Sequence, residues 1–222
     1  MVESVVGFIK ELKVRNEYLF YFGLLCVIVS IVCIVLTKTT VIQVHGVNAW
    51  FKPFKFAVSI GLFSCTMAWY CHYLSDFNVT PFNWTVIILF GFELLYIIYQ
   101  ASQGQMSHFN ISTPTYSMLY SLMGLAATIV TLYTAYIGFL FFTQTFPDLP
   151  NYYIWAIRFG ILIFVVFSCL FVVLLTAYVS NSKELDLNLI LSPRLLPENI
   201  NNSELSLSSY LDIILECKFP LA

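Results

Sequence analysis

Long apolar blocks, separated by short polar segments, fill the first 180 residues of the chain. Five of these blocks have about the 20 residues that a helix needs to cross a bilayer. The pattern therefore predicts five membrane-spanning helices, at about residues 18–37, 51–74, 83–103, 116–143 and 153–179. Aromatic residues gather at several block ends, which is typical of rings at the level of the lipid headgroups.

Both flanks of this region are more polar. Apolar residues at helical spacing in the first 12 positions favour a short amphipathic helix on the membrane surface over a solvated leader. From Ser180 to Ala222 the chain is too polar to span a membrane, and it is expected to be disordered or to form a surface helix. We therefore divide the chain into a helical membrane domain, residues 1–179, and a polar tail, residues 180–222.

Composition supports the same class of protein. The chain has 59% hydrophobic and 10% charged residues, whereas soluble domains have roughly 25% charged residues. The fold class predicted is an all-α, polytopic transmembrane bundle whose main partner is the lipid bilayer. The net charge of -2 gives no reason to expect a nucleic-acid partner. The six cysteines form no C-x-x-C pair, so we expect free, apolar thiols.

Positive charges at the ends of the first span give conflicting signals about orientation. Lys10, Lys13 and Arg15 precede that span and favour a cytoplasmic N-terminus. Lys52 and Lys55 lie on its other side and oppose this orientation. We expect the N-terminus inside, because the first helix usually dominates.

A glutamate, Glu93, interrupts the third apolar block. An ionised carboxylate in the middle of a bilayer costs about 2.5–3.5 kcal/mol. Helical spacing from Glu93 defines a polar stripe, which must face protein or a water-filled cavity. The stripe continues through Tyr96, Gln100, Gln103 or Gly104, and Ser107. We favour a ligand or proton site here; the alternative is a protonated glutamate that only holds helices together.

Two lysines stand at the start of the second span, on either side of Pro53, a residue suited to a first helical turn. Cations at this end of a helix oppose the helix dipole, which indicates contact with an anion. Lys52 and Lys55 are the expected positive partners of Glu93. Lys55 either points inward to Glu93 or extends outward to phosphate headgroups, and both alternatives stay open.

Histidines suggest a second kind of site. His45 and His108 share one membrane face because two spans separate them, and Asn48, Ser107 and Asn110 lie nearby in sequence. These residues predict a metal or proton-relay site, with two ordinary loop histidines as the alternative.

Small residues recur every three or four positions in the second and fourth spans, which lets helix backbones approach closely in lipid. They are Ala57, Gly61, Ser64 and Ala68, with His72 next on the same face, and Ser117, Ser121, Gly124, Thr128, Thr131, Ala135 and Gly138. We therefore expect the second, third and fourth spans to form the core. Arg158, early in the fifth span, is expected to extend to the headgroups.

Two segments, "GVNAWFKPFKF" (residues 46–56) and "QASQGQMSHFN" (residues 100–110), resemble motifs of an uncharacterised family of bacterial multi-span membrane proteins. The family motifs are N-x-W-x-K-P-x-K-F and Q-A-x-R-G-x-x-S-H-F-N, and Gln103 replaces the arginine. The resemblance implies a bacterial inner-membrane location and supplies no activity. The motif positions in this chain are Asn48, Trp50, Lys52, Pro53, Lys55, Phe56, Gln100, Gly104, Ser107, His108, Phe109 and Asn110.

Family members continue past the fifth span into further helices rich in histidine. The tail from Ser180 departs from that pattern, so a site that needs those helices would be incomplete in this chain.

The role we favour is binding or moving a small polar or anionic solute, or a proton. The predicted ligand-binding residues are Lys52, Lys55, Glu93, Gln100, Ser107, His108 and Asn110. The alternatives are a membrane-embedded metal or redox enzyme that uses His45 and His108, and a non-catalytic assembly subunit; a homo-oligomer stays open. No common phosphate-binding, zinc-protease or serine-hydrolase motif occurs, so the sequence leans against an enzyme and indicates no particular cofactor.

Overall fold

The computed structural model of the chain describes residues 2–44, 46–75, 77–105, 107 and 114–191. Five of its helices contain segments long and apolar enough to cross a membrane, which confirms the all-α, five-span fold class. A small antiparallel hairpin connects the first two spans. In chain order the elements are α1 (Val2–Arg15), α2 (Glu17–Thr39), β1 (Gln43–Val44), β2 (Val47–Asn48), α3 (Phe51–Cys71), α4 (Val79–Ser102), α5 (Pro114–Thr143) and α6 (Asn151–Leu191).

The chain divides into two compact units, Met1–Val172 and Val173–Ala222. The structure describes the second unit as far as Leu191, the last residue of α6. Residues 192–222, most of the predicted tail, lie outside the described residues. The predicted division at residue 179 and both alternatives for the tail therefore stay predictions.

Asparagine side chains define where two of the spans begin. The Asn16 side chain accepts a hydrogen bond from the Leu19 amide and caps α2. Asn78 caps α4 in the same way through the Thr80 amide. Because a proline is tolerated in a first helical turn, Pro81 lies inside α4, and the helix begins at Val79 rather than at the predicted residue 83.

The closest approach of two backbones in the bundle's N-terminal half joins α2 and α3. A Cβ atom added at Gly61 would lie 3.3 Å from the Cys26 Cβ and 3.4 Å from the Gly23 carbonyl oxygen. Ala57 and Ser64, on the same face of α3, are fully buried. The small-residue packing face predicted in the second span is confirmed as far as Ala68, whereas His72, predicted on the same face, is exposed. Its main partner is the first span, however, which the predicted core of spans two to four left out.

The small-residue stripe predicted in the fourth span is not the buried face of α5. Ser121 and Gly124 are exposed, and Gly124 has no neighbouring atoms near its Cα. Only the C-terminal member, Gly138, is buried, where an added Cβ would lie 2.7 Å from Ile161 of α6. Apolar residues fill most of the buried face instead. They are Met123, Ala126, Val130, Ile137 and Phe141.

The predicted N-terminal amphipathic helix is confirmed as α1, which packs against α2 and α3. Leu12 is buried, and the Phe8 ring stacks on Trp69 of α3 with ring centroids 5.0 Å apart. The Arg15 guanidinium lies 3.8 Å from the Trp69 ring centroid and 4.9 Å from that of Tyr73. Cation–π contacts and ring stacking therefore hold α1 in place.

The charge of Arg15 is maintained despite its partial burial. Its guanidinium pairs with Glu11 at 2.6 Å. Burial, the largest single influence, lowers the pKa of Arg15, but hydrogen bonds to Glu11 and Tyr73 more than offset it. The net pKa is raised, so the guanidinium stays positive over Trp69.

Arg158 does not extend freely to the headgroups as predicted. Its Nε donates a hydrogen bond of 2.8 Å to the Phe141 carbonyl oxygen, near the end of α5. Carbonyl groups in the last turn of a helix lack partners within the helix and carry the negative end of its dipole. The arginine therefore caps α5, and the rings of Phe142 and Trp155 lie 5.2 Å from the guanidinium.

The cysteines within the described residues are free thiols, as expected. Cys26, Cys33 and Cys71 are buried, and Cys65 is half-buried. Cys169 is exposed, and Cys217 lies outside the described residues. Most of these thiols act as small apolar groups in the bundle.

Candidate functional site

The predicted polar stripe forms a buried face on the second half of α4. Glu93, Tyr96 and Gln100 are 5%, 8% and 0% exposed. Leu95 and Tyr99, on other faces of the same helix, are well exposed. The stripe therefore faces protein, as the cost of exposing polar groups to lipid requires. We call Glu93, Tyr96 and Gln100 the polar centre.

Hydrogen bonds within the polar centre leave two oxygen atoms without donors. The Gln100 Nε2 donates to the Tyr96 hydroxyl at 2.8 Å. The Gln100 Oε1 and the Glu93 Oε1 are both buried and accept no hydrogen bond from any described residue. Both atoms are acceptors, so the polar centre has two buried acceptors that no described donor reaches.

No positive charge compensates Glu93 within the part of the chain that the structure describes. The ion pair found there joins Arg15 to Glu11 within α1. Arg15 precedes Asn16, which is hydrogen-bonded to Asn83 near the beginning of α4, whereas Glu93 lies in the second half of that helix. Lys55 is exposed, which agrees with the alternative that its side chain extends outward from the first turns of α3. The expected ion pair between Glu93 and a lysine is not found among the described residues. A role for Lys52 or Lys55 in ligand binding stays a prediction.

Aromatic and apolar side chains from three helices surround the middle of the polar centre. Tyr96 and Ile97 pack with Met123 of α5, and Phe56 of α3 packs against this group. The ring of Phe92 stacks on that of Tyr96, with centroids 6.5 Å apart and an interplanar angle of 14°. Phe92 is not among the site residues predicted from the sequence. Its spacing from Tyr96, one helical turn, was the available signal.

The end of α4 explains why the predicted stripe does not continue as a helix face. The Gln105 amide donates to the Gln100 carbonyl oxygen at 2.9 Å, and the Gly104 amide donates to the Ala101 carbonyl oxygen at 3.1 Å. Gly104 has a φ of 66°, which completes a Schellman motif. Gln103 is consequently exposed and leaves the stripe, whereas Ser107 is buried beyond the turn.

Asn48, which the sequence grouped with the histidines, ties the end of α2 to the start of α3. Its Nδ2 donates to the carbonyl oxygens of Thr37 and Thr40, at 3.1 and 2.9 Å. Its Oδ1 accepts from the Trp50 amide at 3.0 Å. These bonds use both N–H groups and the oxygen of the Asn48 side chain. The asparagine at the start of the N-x-W-x-K-P-x-K-F motif therefore has a structural role.

The predicted metal site cannot be located in the structure. His45, His108 and Asn110 lie outside the described residues. Among the residues that are described, no group of three or more histidine, cysteine, aspartate or glutamate side chains could hold a metal ion. The metal site of His45 and His108 stays a prediction.

A second polar cluster lies at the other end of α4, beside a cavity of about 230 Å³. Arg15, Asn16, His72 and Asn83 contribute to its lining. The amides of Asn16 and Asn83 donate to each other's side-chain oxygens at 2.9 and 3.0 Å. This reciprocal pair satisfies itself and joins the α1–α2 junction to α4.

Comparison with known proteins gives no match to any family model, curated protein or solved structure. The resemblance to a bacterial membrane-protein family therefore stays a prediction based on the two motifs.

Proposed function

We propose that the chain is an integral membrane protein that binds a proton or a small polar solute at the polar centre and lets it move across the bilayer. The observation that carries this proposal is the pair of buried oxygens, Glu93 Oε1 and Gln100 Oε1, that accept no hydrogen bond from described residues. Folded proteins satisfy the great majority of their buried polar atoms. Two of the five exceptions among the described residues lie on this one face of α4, and both are acceptors, which favours an occupant that supplies donors.

Energetics favour a functional origin for these exceptions. A buried acceptor without a donor costs about 1–3 kcal/mol, and an ionised carboxylate in the bilayer costs about 2.5–3.5 kcal/mol. An apolar side chain at position 93 would avoid both costs. A proton on Glu93, or a solute that donates to it, removes the penalty while the site is occupied.

The position of Glu93 along α4 suits transfer across the membrane. It lies 14 residues after Val79 and 9 residues before Ser102. At 1.5 Å per residue, it is about 13 Å from the C-terminal end of the helix and about 21 Å from the other end. Transporters commonly bind their substrates and coupling ions near the middle of the bilayer.

An anionic solute is less well supported at this centre than a proton or a donor-bearing solute. The unused atoms are acceptors, and no described lysine or arginine pairs with Glu93. An anion placed there would meet a carboxyl group and a carbonyl oxygen without a compensating charge. The lysines of α3 suit contact with lipid phosphate at the membrane surface instead.

Infrared spectroscopy on protein in lipid vesicles tests the proposal. Glu93 is the only carboxyl group that is buried among the described residues, so its C=O band should be separable from those of exposed carboxyl groups. We expect that band to shift within minutes of transfer to D₂O and to be absent in Glu93→Gln. Glu17→Gln, which changes an exposed carboxylate, is the matched control and should keep the band. A Glu93 band that stays unshifted for hours would refute a proton or solute site.

A non-catalytic assembly role is the second candidate, and one observation favours it. Gly124 and Ser121 of α5 form a smooth, exposed surface to which a helix of a second copy could pack. Cross-linking of Ser121→Cys in membranes should then give a dimer, and exposed Thr145→Cys serves as the control. We also propose a bacterial inner-membrane location for the chain, whichever role it has, on the basis of its resemblance to the bacterial membrane-protein family.

A further inference from the structure

We infer that the solute of the polar centre is an organic cation that carries N–H groups, namely an ammonium attached to an apolar or aromatic body. The inference builds on the proposed function, because it specifies the ligand of the same site. It follows from three properties of the site: its hydrogen-bonding capacity, its charge and its aromatic surroundings.

The hydrogen-bonding capacity selects a donor. Glu93 Oε1 and Gln100 Oε1 both lack donors, and the Tyr96 hydroxyl already accepts from Gln100. A primary ammonium offers three donors and no acceptor, so it complements these atoms. A carboxylate or phosphate offers only acceptors when ionised and would leave the two oxygens unsatisfied.

The charge of the site selects a cation. Glu93 is 5% exposed, and its Oε1 accepts no hydrogen bond from a described residue. A buried charge is tolerated when an opposite charge is close, and an ammonium ligand provides that charge. Unless Glu93 is protonated, a neutral solute leaves its charge uncompensated, and an anion would add a second negative charge to the ionised site.

The aromatic surroundings select an ammonium over a small metal cation. The Phe92 ring, next to Glu93 in sequence, stacks on that of Tyr96, which lies about one helical turn after Glu93, and Phe56 packs near Tyr96. Ring faces attract ammonium groups and pack against apolar bodies. An alkali or alkaline-earth ion would require several oxygen ligands, which this wall does not offer.

The spacing of the acceptors indicates a second donor on the ligand. Glu93 and Gln100 are seven residues apart, which corresponds to about 10 Å along the helix axis. One ammonium group therefore satisfies Glu93, and a hydroxyl, amide or second amine further along the ligand reaches Gln100. The expected class is a small amine with a second polar group.

A series of matched probes tests the inference on the full chain in lipid nanodiscs. Isothermal titration calorimetry would compare benzylammonium with benzyltrimethylammonium, benzyl alcohol and benzoate, which share the ring and differ in charge or in donors. We expect benzylammonium to bind at least tenfold more tightly than benzyltrimethylammonium, and benzoate to give no measurable binding. Equal or tighter binding of benzoate would overturn the inference without any variant being needed.

Variants then locate the binding. Glu93→Gln should weaken benzylammonium binding at least tenfold, and Phe92→Leu should weaken it a few-fold through loss of a ring face. Glu17→Gln keeps the wild-type affinity if the site is the polar centre. Unchanged affinity in a folded Glu93→Gln protein would overturn the inference.

The outcome also separates this inference from the proposed function. A Glu93 carboxyl band that exchanges in D₂O, in a protein that binds no benzylammonium, would contradict the amine and leave the proton site standing. A Glu93 band that does not exchange, together with an absence of binding, would contradict both.

Discussion

Helix α4 carries two buried polar clusters that differ in one respect. At its beginning, Asn83 pairs with Asn16, and the two side chains are 4% and 8% exposed. In its second half, Glu93 and Gln100 are buried to the same degree, yet one oxygen of each accepts no hydrogen bond from described residues. Burial is therefore the same in both clusters, and the satisfaction of hydrogen bonds is what distinguishes them.

The difference in hydrogen bonding indicates which buried polar groups of α4 stabilise the fold and which have a function. A reciprocal amide pair joins two helices, and each member has the partner that it needs. Unsatisfied acceptors bring a cost without joining anything. We conclude that Asn16 and Asn83 stabilise the fold, and that Glu93 and Gln100 are retained for an occupant.

The largest effect is expected at the close contact between α2 and α3. Gly61→Leu would place four carbons where a Cβ alone already lies 3.3–3.4 Å from α2. Overpacking of this kind costs about 1–3 kcal/mol and occasionally more, and we expect the upper part of that range. Unfolding in mixed detergent micelles, followed by circular dichroism, measures the loss. Gly124→Leu, on the open face of α5, is the matched control and should change stability by less than about 0.5 kcal/mol.

The second-largest loss of stability is expected at the pair of Asn16 and Asn83, whose side chains hydrogen-bond to each other. Asn83→Leu removes both hydrogen bonds to Asn16 and leaves the Asn16 Nδ2 buried without an acceptor, while its Oδ1 still accepts from the Leu19 amide. We expect a loss of about 2 kcal/mol in unfolding free energy. Gln103→Leu, which changes an exposed amide at the other end of α4, serves as the control.

A double-variant cycle sharpens this result. If the two asparagines act as a pair, the combined Asn16→Ala and Asn83→Ala protein should lose less stability than the sum of the single losses. Strict additivity would show that the pair contributes nothing as a pair.

A smaller effect is expected at the junction of α1 with the bundle. Arg15→Lys keeps the charge and loses the planar group that lies over Trp69 and Tyr73. The expected loss is about 1 kcal/mol, together with a reduced protection of α1 amides in hydrogen exchange. Lys10→Arg on the exposed side of α1 should leave both measurements unchanged; an equal loss there would contradict the stacking explanation.

Block length and local periodicity were sufficient to predict the five spans, the amphipathic α1 and the face of α4 that contains Glu93. These features are local, because lipid imposes one length on every span and excludes polar faces from its surface. The same logic places the start of the third span at residue 83, which is too late, because Pro81 lies within the first turn of α4.

Features that depend on which helices meet were not predictable from local pattern. The small residues of α5 resemble those of α3, yet Gly61 meets α2 whereas Gly124 meets no other helix. Arg158 was expected among the headgroups, but the end of α5 offers it a carbonyl oxygen. The unused acceptors of Glu93 and Gln100 were also invisible in sequence, because satisfaction depends on every neighbouring helix.

The smallest expected effect tests the central claim most directly. Replacing an unsatisfied buried polar group by an apolar one of similar shape is neutral or stabilising. We therefore predict that Glu93→Met unfolds within about 0.5 kcal/mol of the wild-type value, or is more stable. A loss of more than about 1 kcal/mol in unfolding free energy, on the scale of Asn83→Leu, would show that Glu93 holds the bundle together and would contradict the account.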